Sequence, residues 1–103
     1  MKWLTIAPWR PIAGTGQNIT IGAASVPSTA FDANGENAQA IQISAVGGNC
    51  HVALGTVPVA VATDQLVKSS DPPIILRIAP GEKLAVIQDG ASTGTLNIIE
   101  LTH

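Results

Sequence analysis

Apolar and polar residues alternate with a period of two along much of this chain, the spacing that sends successive side chains to opposite faces of a β-strand. The clearest stretch runs from Ala40 to Gly55, where Ile41-Gln42-Ile43-Ser44-Ala45 and Cys50-His51-Val52-Ala53-Leu54 flank Gly47-Gly48. Two glycines tolerate positive φ at both central positions, so the pair predicts a two-residue hairpin turn. That turn sets Val46 against Asn49, Ala45 against Cys50, Ser44 against His51 and Ile43 against Val52. Ile41, Ile43 and Ala45 then share a face with Leu54, Val52 and Cys50, while Gln42, Ser44, His51 and Ala53 take the other. A slip of one residue would mix the two faces.

A second hairpin is expected from Ile74-Ile75-Leu76-Arg77-Ile78, through Ala79-Pro80-Gly81-Glu82, to Lys83-Leu84-Ala85-Val86-Ile87. Pro followed by Gly is type II turn chemistry. After a loop at Asp89 to Gly94, Thr95 to Leu101 closes the pattern. The doubled Ile98-Ile99 there predicts a bulge or a strand buried on both faces. Trp3 to Ala7, Asn18 to Gly22 and Val57 to Val61 read as weaker strands, which Pro8, Pro11, Pro27 and Pro58 confine to edges or strand ends. Helix is expected for one turn at most, at the start of Glu36 to Val46. The expectation is an all-β chain, a single small antiparallel β-sandwich or jelly roll of about seven to eight short strands. Residues 13–103 form the sandwich domain, and residues 1–12 are a candidate N-terminal arm.

Composition turns this fold toward surfaces. Of the 103 residues, charged ones make up 12%, half the ~25% of ordinary soluble domains. So few charges leave little to keep the surface from adhering to neighbours. Net charge is −2, and Lys2, Arg10, Lys68, Arg77 and Lys83 form no cluster. A nucleic-acid partner is therefore not expected. A membrane is not expected either, because no apolar run approaches the ~20 residues of a spanning helix. The N-terminus starts like a signal peptide, but Pro8 and Arg10 cut its apolar run short. Asn18-Ile19-Thr20 fits a glycosylation sequon, a motif common by chance. The one cysteine, Cys50, rules out an internal disulfide.

Candidate chemistry is thin. Cys50 and His51 are neighbours on one strand and so point to opposite faces, which prevents a direct thiol–imidazole contact. Cys50 is expected in the core, and His51 on the outer face beside Ser44. No two His or Cys residues stand at a zinc-like spacing. Asp32-Ala33-Asn34-Gly35-Glu36 lacks the ligand order of a calcium loop and reads as an Asx/Gly turn. Gly14-Thr15-Gly16 is too short for a dinucleotide fingerprint. Only Trp3, Trp9 and Phe31 offer an aromatic platform for sugars or bases. No enzyme and no cofactor are expected.

Ile41-Gln42-Ile43-Ser44-Ala45, Asn49-Cys50-His51-Val52-Ala53-Leu54-Gly55-Thr56 and Pro80-Gly81-Glu82-Lys83-Leu84-Ala85-Val86-Ile87-Gln88-Asp89-Gly90 carry a resemblance. Over residues 40–101 the chain resembles small virion proteins of tailed bacteriophages encoded near head genes, above all capsid decoration (cement) proteins. The resemblance implies a structural protein of the capsid surface, made in the host cytoplasm. Its implied partners are the major capsid protein, at junctions between subunits, and copies of itself as a homodimer or homotrimer. In that setting Trp3, Leu4, Ile6, Trp9 and Arg10 are the candidate interface residues, since Trp and Arg dominate binding hot spots; alternatively the tryptophans cap the core. The alternative functions are a stand-alone receptor- or carbohydrate-binding sandwich, or another virion part such as a head–tail or tail component.

Overall fold

The computed structural model describes residues 9–33, 35 and 37–102. Among these residues nine strands follow in chain order: β1 (Arg10–Pro11), β2 (Gln17–Ile21), β3 (Val26–Pro27), β4 (Ala40–Val46), β5 (Cys50–Gly55), β6 (Gln65–Val67), β7 (Ile74–Arg77), β8 (Lys83–Gln88) and β9 (Gly94–Thr102). No helix occurs among the described residues. The strands form two antiparallel sheets packed as a sandwich. One has the order β1-β9-β4-β7, with β2 also on β9, and the other has the order β3-β8-β5-β6. With β1 and β2 taken as one interrupted strand, the eight strands run 1-8-3-6 in the first sheet and 2-7-4-5 in the second. That order is a jelly roll.

Most inward positions that the alternation marked lie in the core, but Leu54, expected there beside Val52 and Cys50, is 37% exposed near the end of β5. Ile41, Ile43, Leu84, Leu96 and Ile98 are fully buried between the sheets, with Phe31 closing one end. Phe31 is held by its backbone, which donates to the Glu82 carbonyl and accepts from Gly81 N–H. It is therefore a core residue and offers no aromatic platform. The Ala79–Glu82 turn forms as read, with Gly81 at φ 86 and Glu82 N–H on the Ala79 carbonyl at 3.1 Å.

Both expected hairpins are corrected. β4 pairs with β7 and β9, whereas β5 pairs with β6 and β8. The Gly47-Gly48 link is thus an arch from one sheet to the other. The same holds for β7 and β8, which lie in different sheets on either side of the Pro80-Gly81 turn. The alternation test could not separate the two arrangements. Ile41, Ile43 and Ala45 meet Cys50 and Val52 on one apolar surface whether the strands lie side by side or face each other across the core. Only Gly47 of the pair has positive φ, and a hairpin turn of the primed type needs two.

The doubled Ile98-Ile99 causes no break against β4, whose register runs unbroken from Ala40↔Leu101 to Val46↔Thr95. Ile98 points inward and Ile99 is half-buried on the opposite face, so β9 is covered on both sides. The irregularity lies on its other flank, between β1 and β2. There the Thr15 hydroxyl accepts from Glu100 N–H at 3.1 Å and donates to the Ile12 carbonyl at 2.7 Å. Ile12 is buried in the core, so the sandwich includes residues from Arg10 onward.

Candidate interaction surfaces

Between β5 and β6 the chain runs Thr56-Val57-Pro58-Val59-Ala60-Val61-Ala62-Thr63 without a charge. Val57 to Val61 reads as a weak strand, but Pro58 and the lack of a neighbouring edge leave it outside either ladder. It crosses the outer face of the second sheet as a strap. Ala60, which is buried, donates its N–H to Ser25 Oγ at 2.9 Å. Ser25 precedes β3, so the strap spans β8 to reach it. Small residues make room beneath: Ala85, on the outer side of β8, is fully covered.

The strap's return end is tied through Asp64. Its N–H donates to the Val61 carbonyl at 3.0 Å, and its Oδ2 accepts from Val61 N–H at 2.8 Å. Its carbonyl meets His51 Nδ1 at 3.0 Å, and His51 Nε2 meets Asp89 Oδ1 at 3.0 Å. Two acceptors therefore flank the ring, and only the doubly protonated imidazolium satisfies both. The pKa of His51 accordingly rises above its ordinary value. The Asp64 carbonyl contributes most and burial opposes, while the bond and charge of Asp89 add to the rise. His51 and Ser44, expected to be neighbours, stand in different sheets. The reason is the arch at Gly47-Gly48. Cys50 faces the core, and burial, with the Asp89 charge second, pushes its thiol up to about 11. Such a thiol stays protonated at neutral pH.

The result is an ordered strap that presents apolar side chains to solvent. Val57 is 86% exposed, Val59 67% and Val61 48%. Residues pinned in this way have already lost much of the freedom that binding would otherwise remove. The valines alternate with Pro58, Ala60 and Ala62. The signal for an exposed apolar face was thus in the sequence, hidden by the strand-like period.

Of the candidate interface residues, Trp3, Leu4 and Ile6 lie outside the described residues, and so does the weak strand Trp3 to Ala7. Trp9 is half-buried and lines a cleft of about 340 Å³ with Gln39, Ala40, Ile75 and Arg77 on the outer face of the first sheet. Arg10 is exposed in β1 opposite Thr102. Trp9 and Arg10 therefore belong to the first sheet, and the strap to the other side of the sandwich. No family model matches the chain, and neither the curated proteins nor the solved structures give a match. Among the described residues, no three His, Cys, Asp or Glu side chains are grouped to hold a metal ion. Asp32 in the calcium-like stretch is used internally: its Oδ1 accepts Ala38 N–H, while its own N–H goes to the buried Glu100.

Proposed function

We propose that this protein is a structural component of a bacteriophage virion, a decoration protein that cements junctions between major capsid subunits on the capsid surface. The observation that carries the reading is the tethered valine strap. An uncharged, pre-ordered apolar surface is suited to burial in a permanent interface, where apolar content is highest. A jelly roll is a frequent architecture of capsid proteins, though fold alone does not define function. The low charge density of the chain supports the same reading. Many copies on one lattice add their modest contacts through effective concentration.

The test is co-sedimentation of the purified chain with phage heads assembled without it. Binding should saturate at a copy number set by the capsid lattice, and Val59→Glu should weaken it at least tenfold while leaving the circular dichroism spectrum unchanged. Absence of the chain from purified virions would overturn the proposal. A head–tail or tail position would appear as a copy number of a few per particle. The cleft at Trp9 favours one second reading, a carbohydrate-binding module. An indole beside Gln39 and Arg77 combines a ring face with planar hydrogen-bonding groups. Glycan-array binding lost in Trp9→Ala would support it.

A further inference from the structure

Each sheet of the sandwich ends in two edge strands, and an edge strand exposes backbone groups that invite another strand. Three of the four edges are guarded. β7 lies between Pro73 and Pro80, β3 contains Pro27, and β6 is three residues long with Asp64 and Lys68 on either side. β2 differs. It is five residues, Gln17-Asn18-Ile19-Thr20-Ile21, lying between Gly16 and Gly22 with no proline and no charge. Among the described residues its one strand partner is β9, in register from Gln17↔Ile98 to Ile21↔Gly94. On its free side every second residue turns its N–H and C=O outward. A groove of about 330 Å³ runs along it, between Gln17–Thr20 and the Val26–Thr29 segment of the other sheet. Gln17 Oε1 accepts Thr29 N–H at 3.0 Å and bounds the groove at one end.

We infer that β2 is the edge through which two copies of this chain join, antiparallel about a twofold axis midway between their two Ile19 residues, making the two β9-containing sheets continuous. The occupant is a second copy because β2 is complementary to itself. Paired this way, Asn18 lies opposite Thr20 of the second copy and Ile19 opposite its own counterpart. A strand carrying any charge near its centre would oppose like charges when it met itself, and that is destabilising; β2 carries none. Asn18 and Thr20 are exposed on the outer face, so their hydrogen-bonding groups are available to the opposing strand. Asn18 already accepts from Asn97 Nδ2 at 3.0 Å, so the new pairing extends a polar row that exists within the sheet. Such an isologous contact closes at two copies.

The inference specifies how copies meet within the assembly role proposed above, and its test uses the isolated full chain alone. Sedimentation equilibrium from micromolar to hundred-micromolar concentration should show a monomer–dimer equilibrium, and the β2 amides should exchange more slowly as concentration rises. Asn18→Lys with Thr20→Lys should weaken the dimer at least tenfold, with an unchanged far-ultraviolet spectrum. Mixing that variant with Asn18→Glu/Thr20→Glu should restore a mixed dimer. Ile75→Lys, on the guarded β7 edge, should leave the dimer unaffected. A wild-type chain that stays monomeric, a trimer, a dimer indifferent to the β2 lysines, or loss without restoration by the mixed pair would each overturn the inference. A monomeric result leaves capsid binding by the strap standing, and absence from virions leaves edge pairing standing, so the two failures are told apart.

Discussion

Gly48 illustrates how one position reports on its neighbours in space. A Cβ there would run into the Thr93 carbonyl oxygen, because the arch from β4 to β5 lies directly against the one from β8 to β9. Gly94, at φ 152, faces the Val46 carbonyl from the other side of the same contact. Gly48→Ala should therefore destabilise the protein by at least about 2 kcal/mol, since backbone on both sides prevents relaxation. Gly55→Ala, where a Cβ meets nothing within 4 Å, should be close to neutral. Equal denaturant midpoints for the two variants would refute the stacked arches. His51 carries the second prediction at this scale. Its folded pKa is raised, so its contribution is complete below the unfolded value of about 6.5 and is lost as pH climbs through the folded value. The stability gap between wild type and His51→Gln should accordingly be wider at pH 5 than at pH 8, as read by urea unfolding at both. A gap that widened toward alkaline pH would contradict the two-acceptor geometry.

At the scale of elements, the strap shows that order and pairing are separate properties. It has no ladder, yet Ala60 is only 2% exposed and its backbone is tied to Ser25, while Asp64 ties its end to Val61 and His51. Substitutions on its two faces should therefore diverge. Val57→Thr should change stability by less than about 0.5 kcal/mol, as for other exposed sites. Ala60→Leu, which must fit between strap and sheet, should cost about 1–3 kcal/mol. Thermal unfolding of both variants would read the contrast. The hydrophobic period marked Val57 to Val61 but could not say that β5 and β6 already pair with each other beneath it. The Ser25 tether was not legible either, because it joins residues 35 apart in sequence.

At the scale of the whole molecule, nearly every connection between the described strands crosses from one sheet to the other, and among them only β5 and β6 are both consecutive and paired. β9 pairs with β1, β2 and β4, so the first sheet cannot be completed until segments far apart in sequence meet. Contacts between such distant segments require large loop closures before they contribute. Refolding by stopped flow should therefore take milliseconds to seconds, slower than helical domains of this length, and a microsecond phase that recovers the full native signal would contradict this topology. The period-two pattern, the turn residues and the scarcity of charge determined by themselves that the chain is all-β with two-faced strands, that Ile41, Ile43 and Val52 face its core, and that Cys50 is buried. Those properties follow from each strand taken alone, because alternation assigns faces whatever the partner. Which strands lie side by side, where His51 finds its acceptors, and which apolar residues end on a strap outside the core were decided only in three dimensions. An inward-facing strand meets the same apolar surface as a hairpin partner or across the core, and the two are distinguished by the strand pairings and by the packing of the arches at Gly48 and Gly94.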